Sequence, residues 1–348
     1  MATLEWGDTF DHYQFNTLSA NFSTLPIATK WTGIDVDSPV LAVSSEYARP
    51  GAAGGCGLRV ASSRWIYKTL PGGAQATRCL AFWWNPQAAN ATNDLIIAAF
   101  LDSTTEQLSI RLNSSGRLVV SRAGTALATS TNTFSSNTWY WIEFKATIHN
   151  TTGAYEVKVN GTSTNWIPAA TGANTRGTGS NNSATGIRIG NSSNVVQWYD
   201  DVVVADDFMG QVQGAFLRPA GPGNYAQWTP NSGSNDGAVR SPFPDADNSF
   251  NSSTTSGDKD TFAMEKLPSG GTPTILGVQH VILAKQDAGT QRTVRPKQRS
   301  SSTDYSGTGV NTGTSYVYIV EAKPTNPATS AAWTKSGLEA AEFGYENV

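Results

Sequence analysis

Carboxylates come first, because acid–base or metal chemistry would need them in groups. Glu143 stands alone between aromatics in Trp139-Tyr-Trp-Ile-Glu-Phe144, and Glu156 has Lys158 as its same-face neighbour. Asp200-Asp201 and Asp206-Asp207 are adjacent pairs. Consecutive residues of a regular strand point to opposite faces, so Asp200 and Asp201 are not expected to act together, and Asp206-Asp207 reads as a turn. A retaining glycosidase needs two carboxylates about 5 Å apart, which strands supply with an E-x-D-x-E-like run. No such run is present, nor G-x-S-x-G, H-E-x-x-H or a P-loop. No catalytic residue is expected.

His12, His149 and His280 have no partner at ligand spacing, so no metal site is expected. Calcium wants six or more oxygens. Its only candidates, Asp102, Asp200, Asp206 and Asp207, read better as strand caps and junction residues. Cys56 and Cys79 read as buried free thiols, although one disulfide is geometrically possible if their strands pair. Tryptophans remain as contact groups, since indoles serve both subunit interfaces and sugar stacking. The interface or glycan-contact candidates are Trp139, Trp141, Trp198 and Trp166, with Trp84 as a further stacking residue. Trp139 and Trp141 alternate with Tyr140, Ile142 and Phe144 and should lie on the polar face, beside Glu143 and Lys145.

The elements that hold these residues are short alternating strands. In Trp139–Ile148 the residues Tyr140, Ile142, Phe144, Ala146 and Ile148 share one face. Ala154–Gly161 buries Tyr155, Val157 and Val159 and ends in Asn160-Gly161, a favoured hairpin turn. Gly186–Gly190 and Gln197–Val204 come next. Earlier strands are expected at Leu58–Lys68 as a pair, then at Cys79–Trp84, Leu95–Leu101, Leu108–Leu112 and Arg117–Arg122. Phe10 and Tyr13 are expected core anchors. A loop runs through Pro26, and Thr171–Thr185 is a long connection, mobile or in contact.

The bulk numbers agree with an all-β chain: 348 residues, 33 Gly, 11 Trp and 15% charged residues. A formal charge of −3 leaves no electrostatic footprint for nucleic acid. The one basic cluster, Arg292, Arg295, Lys297 and Arg299, reads as a solvated strand face. No apolar stretch is long enough to span a bilayer, and Met1-Ala-Thr-Leu-Glu-Trp-Gly-Asp8 does not look like a secretory leader. The eight N-x-S/T sequons, at Asn21, Asn90, Asn113, Asn150, Asn160, Asn181, Asn191 and Asn251, are therefore expected to be unmodified.

The pattern resets near 205–215, which divides the chain into 1–208 and 209–348. In the second part strands are expected at Gln211–Leu217, Asp260–Met264, Ile275–Lys285, Arg292–Arg299 and Ser315–Val320. Ile275–Lys285 could be buried on both faces. Near the C-terminus one short helix is expected. Thr334 or Ser336 would cap it, Leu338, Ala341 and Phe343 would face inward, and Gly344 would stop it. The expected fold is two β-sandwiches of jelly-roll type with a short C-terminal helix.

Trp6-Gly-Asp-Thr-Phe-Asp-His-Tyr13, Gly54-Gly-Cys-Gly-Leu-Arg-Val60, Trp139–Phe144 and Tyr199-Asp-Asp-Val-Val203 resemble concanavalin A-like, laminin-G-like domains of proteins encoded by tailed bacteriophages. Gln227-Trp-Thr-Pro230, Lys285–Thr290, Val294-Arg-Pro296, Asn326-Pro-Ala-Thr329 and Trp333-Thr334 resemble a module that comes after such domains in phage virion proteins. The resemblance implies a non-enzymatic virion structural protein without cofactor, tail-associated (tip, fibre base or surface appendage). Its partners would be copies of itself and other virion proteins, after assembly in the host cytoplasm. Alternatives are head decoration of the capsid and a glycan- or receptor-binding adhesin that contacts a host-surface glycan.

Overall fold

A computed structural model describes residues 2–13, 30–34, 41–50, 55–61, 64–89, 95–190, 195–240, 247–269, 271–287, 289 and 291–348. The loop through Pro26, Gly54 and the sequons at Asn21, Asn90 and Asn191 lie outside the described residues. The chain divides into two compact units, Met1–Gly214 and Ala215–Val348.

The first unit has fifteen strands among the described residues. They are β1 (Leu4–Asp8), β2 (Gly33–Ile34), β3 (Leu41–Ser44), β4 (Gly57–Val60) and β5 (Trp65–Thr69). The longer ones come next: β6 (Thr77–Pro86), β7 (Leu95–Asp102), β8 (Thr105–Leu112), β9 (Arg117–Arg122) and β10 (Thr125–Thr133). The last are β11 (Tyr140–Thr147), β12 (Gly153–Val159), β13 (Thr162–Ala173), β14 (Gly186–Gly190) and β15 (Gln197–Ala205). One sheet runs β13-β12-β11-β6-β15-β4-β3, with β1 added on β15. The other runs β10-β9-β8-β7-β14-β5-β2. All of these pairings are antiparallel.

Alternation explains why the two sheets stack. On β11 the residues Ile142, Phe144 and Ala146 are buried and oppose Val159, Val157 and Tyr155 of β12. Phe144 meets Phe100 of β7 across the sandwich, with ring centroids 4.9 Å apart. Polar side chains also tie the layers, since the Tyr199 hydroxyl donates to the Ile97 carbonyl at 2.7 Å. Asn160 and Gly161 close the β12–β13 hairpin with φ of 51° and 87°, the left-handed pair that a two-residue turn of this hand requires. Leu58–Lys68 departs from its expected pairing. Its two strands go to different sheets, β4 beside β15 and β5 beside β14.

A hydrogen-bonded ion pair is buried in this unit among aromatic rings. Asp8 accepts from Lys30 Nζ (3.1 Å), Trp31 Nε1 (2.7 Å), the Tyr13 hydroxyl (2.8 Å) and the Phe10 amide (3.0 Å). Lys30 Nζ also lies 3.2 Å from His12 Nε2. Burial works to raise the Asp8 carboxyl, but Lys30, His12 and these donors outweigh it and hold it below its ordinary 3.8. Burial, aided by Lys30, pushes His12 down to about 3.

The second unit is built on a six-stranded antiparallel sheet. Its order is Pro219–Ala226, Lys259–Met264, Glu342–Asn347, Arg292–Ser300 and Thr303–Ser306, with Val310–Thr312 added on Arg292–Ser300. The pair Val278–Ala284 and Val317–Lys323 supplies a second layer, and Phe262, Ile282, Val294, Ile319 and Tyr345 fill the space between. Three expectations change here. Of Val278–Ala284 only His280 and Ile282 are buried, so the strand is not covered on both faces. The basic cluster is not simply solvated, because Lys297 is buried against Glu346 at 3.1 Å and Arg299 pairs with Asp304 at 2.7 Å. The terminal helix is capped by Thr334 as expected but covers only Lys335–Glu339, and Gly344 lies inside the last strand. A second short helix spans Asn235–Ala238. Gln211–Leu217 forms no strand.

Candidate functional site

The outer face of the seven-stranded sheet carries a row of small residues flanked by long polar ones. Across β5, β14, β7, β8 and β9 the register aligns Tyr67, Arg188, Ala99, Ser109 and Ser121. Ala99, Ser109 and Ser121 are buried, and the long side chains of neighbouring positions on the same face lie over them. Glu106 is at the centre. Its Oε1 accepts from Arg111 Nη2 and the Ser109 hydroxyl, both at 2.8 Å, and its Oε2 accepts from Arg188 Nη2 at 2.7 Å. Arg111 Nε donates to Ser109 Oγ at 3.0 Å. The three charged side chains keep only 12–16% of their exposure, and burial pulls Arg188 below the ordinary guanidinium range against the pull of Glu106.

Two half-buried aromatics extend the row toward the sheet edge. Trp65 and Tyr67, two residues apart on β5, have ring centroids 5.5 Å apart at 49°. Tyr67 lies flat over Gly33 of β2, where any Cβ would overlap its ring. At the other end, Gln107 holds the long 174–185 connection against β8. It accepts from the Gly177 amide at 2.6 Å and donates to the carbonyls of Asn181 and Ser183.

Chemically, the face is suited to recognition. Both oxygens of Glu106 are engaged by guanidinium groups, and the other carboxylate of these strands among the described residues, Asp102, accepts from the Asn181 side chain. Trp65, Tyr67, Glu106, Arg111 and Arg188 were not anticipated from sequence. A readable signal exists: single arginines inside apolar strands, Leu108-Ser-Ile-Arg-Leu112 and Gly186-Ile-Arg-Ile-Gly190, mark an outer face where the pattern otherwise suggests only core.

The expected tryptophans are distributed differently. Trp139 and Trp198 come together, 6.4 Å between centroids, with Tyr47 5.4 Å from Trp198. Trp166 is buried against Phe134 at 4.5 Å, and Trp84 packs on the same ring at 4.9 Å, so neither offers a stacking surface. Trp141 is fully buried, contrary to its expected outward exposure. It does lie on the face of β11 that carries Glu143, but the segment Asp206–Gly214 straps across that face. Glu143 Oε1 accepts from the Met209 and Gly210 amides (2.8 and 2.9 Å), and Trp83, 5.6 Å from Trp141, donates from Nε1 to the Val212 carbonyl at 3.2 Å. The strap ends with the Gly214 amide on Asp201 Oδ1 at 2.9 Å, where a side chain at 214 would collide with Thr9.

Asp200 and Asp201 also depart from expectation. β15 bulges between Asp200 and Val203, with Asp201 at φ 48°. The extra residue breaks the alternation, so both carboxylates reach Arg49. Its amide donates to Asp200 Oδ2 at 2.9 Å, and its guanidinium lies 3.8 Å from Asp201 Oδ2, a charge contact beyond hydrogen-bond reach. Asp206 and Asp207 do not converge on them. Asp206 accepts from the Thr3 amide, and Asp207 pairs with Lys145 at 2.7 Å. Among the described residues no group of three or more His, Cys, Asp or Glu is arranged to hold a metal. Cys56 and Cys79 are buried free thiols.

Burial pushes Asp200 up to about 8, with help from Asp201 and Asp11, and Asp201 up to about 7. Burial likewise raises Asp11 to about 6. These folded values exceed the unfolded 3.8, so the stability they contribute is present below that pH and is lost as pH rises through 6 to 8. Asp201→Asn keeps an acceptor for Gly214 and should flatten this loss. A melting temperature at pH 8 above wild type by about 2–4 °C is expected for each kcal/mol recovered, with no gain at pH 4. A variant less stable than wild type at pH 8 would show that the charge is needed to hold Arg49.

No protein-family model matches the chain, and no curated protein matches it. Solved structures do. A cellulose-induced protein, Cip1, is 15% identical over 54% of this chain and 99% of its own, with a TM-score of 0.40. The catalytic domain of a glycoside hydrolase family 131 protein from Coprinopsis cinerea is 14% identical over 61% and 98%, TM-score 0.37. Arcelin-5, a lectin-like defense protein from Phaseolus vulgaris, is 7% identical over 49% and 91%, TM-score 0.30. At such values the likeness carries no argument. The chain is all-β, and its first unit is a sandwich of two antiparallel sheets.

Proposed function

We propose that the chain is a non-catalytic glycan-binding protein whose first unit presents the outer face of the seven-stranded sheet to a saccharide. The observation that carries this reading is the Trp65–Tyr67 pair beside the Arg188–Glu106–Arg111 row. Sugar recognition combines an aromatic face for the apolar side of the ring with fixed, charge-assisted donors for its hydroxyls, and these residues supply both. A tail-associated place on a bacteriophage particle rests on the sequence resemblance, and the glycan reading makes the adhesin its natural role there. A structural role through subunit contacts is the second reading. The half-buried Trp139 and Trp198, packed together beside the buried Tyr47, favour it, whereas Trp141, buried within its own unit, no longer does.

Trp65→Ala is expected to weaken saccharide binding about tenfold or more, the equivalent of about 1.4 kcal/mol of contact, measured by titration calorimetry against polysaccharides retained by the wild-type protein. Trp139→Ala should leave that binding intact and impair incorporation into particles if the second reading also holds. Retention of full affinity by both Trp65→Ala and Tyr67→Ala would overturn the assignment of the face.

A further inference from the structure

We propose that the saccharide taken by this face is an acidic one, a polysaccharide bearing sugar carboxylates; the inference rests on the glycan reading above. The chain as a whole is acidic, with a formal charge of −3, yet its charge is unevenly placed. On the outer positions of β14, β8 and β9 stand Arg188, Arg111 and Arg117 against the single carboxylate Glu106. Three cations less one anion leave this face with an excess of two positive charges among the described residues. A further carboxylate, Asp102 at the end of β7, accepts from the Asn181 side-chain amide at 2.8 Å; counted with this face it lowers the excess to one.

Glu106 does not exhaust its partners. Arg111 uses Nη2 on Glu106 and Nε on Ser109, and Arg188 uses Nη2 on Glu106. Nη1 of each has no hydrogen-bond partner among the described residues, and Arg188 Nε is buried without one. Two guanidinium groups thus share one carboxylate in a half-buried setting, where an unneutralised cation is poorly solvated and an added anion gains most. Guanidinium forks match planar carboxylates in two-point contacts; Glu106 takes only one hydrogen bond from each arginine, at 2.8 and 2.7 Å, which leaves the rest of each fork for a ligand carboxylate. Arg188 and Arg111 are two strands apart, about 10 Å at the usual interstrand spacing, so they can engage carboxylates on a polymer lying across the strands. Trp65 and Tyr67 then stand at one end of that line for a ring face.

The test uses the full chain and three sets of probes by affinity electrophoresis and calorimetry. The first set is polygalacturonate, hyaluronate and polysialate, the second the methyl-esterified forms of the same polymers with dextran, and the third dextran sulfate. Expected is binding to at least one carboxylated polymer, lost on esterification and weakened about tenfold or more by Arg111→Gln or Arg188→Gln. Arg111→Lys should fall between, and thermal melts should show that each variant is folded. Equal binding to an acid and its ester would overturn the acidic class and leave the glycan reading standing. Equal binding to dextran sulfate would overturn carboxylate recognition in favour of ion exchange. Binding to no polymer in any set would overturn both.

Discussion

Asp8→Ala is expected to destabilise the first unit by about 3–5 kcal/mol, the usual cost of removing one partner from a buried ion pair. The substitution leaves the Lys30 ammonium, 1% exposed, without its carboxylate and strips acceptors from Trp31 and Tyr13. Against a typical total of about 5–15 kcal/mol, much of the unit's stability would go. Calorimetric melting of the full chain, resolving the first unit's transition, measures it. Asp8→Ala combined with Lys30→Met should recover a large part of the loss, because the stranded charge is then gone. A loss below about 1 kcal/mol would mean that the cluster is hydrated. The cluster also sets an acid limit. Asp8 sits below 3.8 and His12 at about 3. The unfolded chain therefore binds more protons below about pH 6.5, and stability falls from there downward. Asp11, Asp200 and Asp201 work in the opposite direction from pH 3.8 upward, so between 3.8 and 6.5 their loss opposes the gain from His12.

Trp141→Ala is expected to cost about 3–5 kcal/mol, the range for deleting a buried aromatic, measured by denaturant unfolding of the full chain. An outward tryptophan would cost about 0.5 kcal/mol, so the experiment separates the two placements cleanly. Trp141 is fully buried against Trp83, whose ring also carries the Arg49 guanidinium at 4.6 Å. Truncation opens a void beneath that stack. Trp139→Ala, one residue before β11, serves as the control and should change stability little. A small effect at Trp141 would mean that the strap over this face is open in solution.

The features legible in the sequence are those carried by short-range signals. Period-2 alternation located β11, β12 and β15, and on β11 and β12 the buried residues Ile142, Phe144, Ala146, Tyr155, Val157 and Val159, because those positions face a core that neighbouring strands of the same pattern build. The Asn160-Gly161 turn was legible because only such residues accept its dihedrals readily. The facing of Trp141 on its strand was also correct, but its exposure was not. The cover comes from Asp206–Gly214, an irregular segment held through backbone amides and a carbonyl, which leaves no side-chain period to read. The bulge at Asp201 was hidden for a related reason, since one extra residue reverses the facing of every later position on the strand. The Glu106 row depends on register among β14, β7 and β8, which are far apart in sequence, so local pattern could not assemble it.

The strap has a mechanical consequence. The residue after Gly214 begins the second unit, so tension transmitted along the chain from that unit reaches the first at the Gly214–Asp201 hydrogen bond. Next in line are Val212 on Trp83, then Gly210 and Met209 on Glu143, then Asp207 on Lys145. Contacts loaded in sequence yield one at a time, at lower force than strands sheared together. A first unit held while its second unit is pulled away would release this short tether, beginning at its bond to Asp201 of β15, before the chain is drawn out at Ala205, the end of that strand.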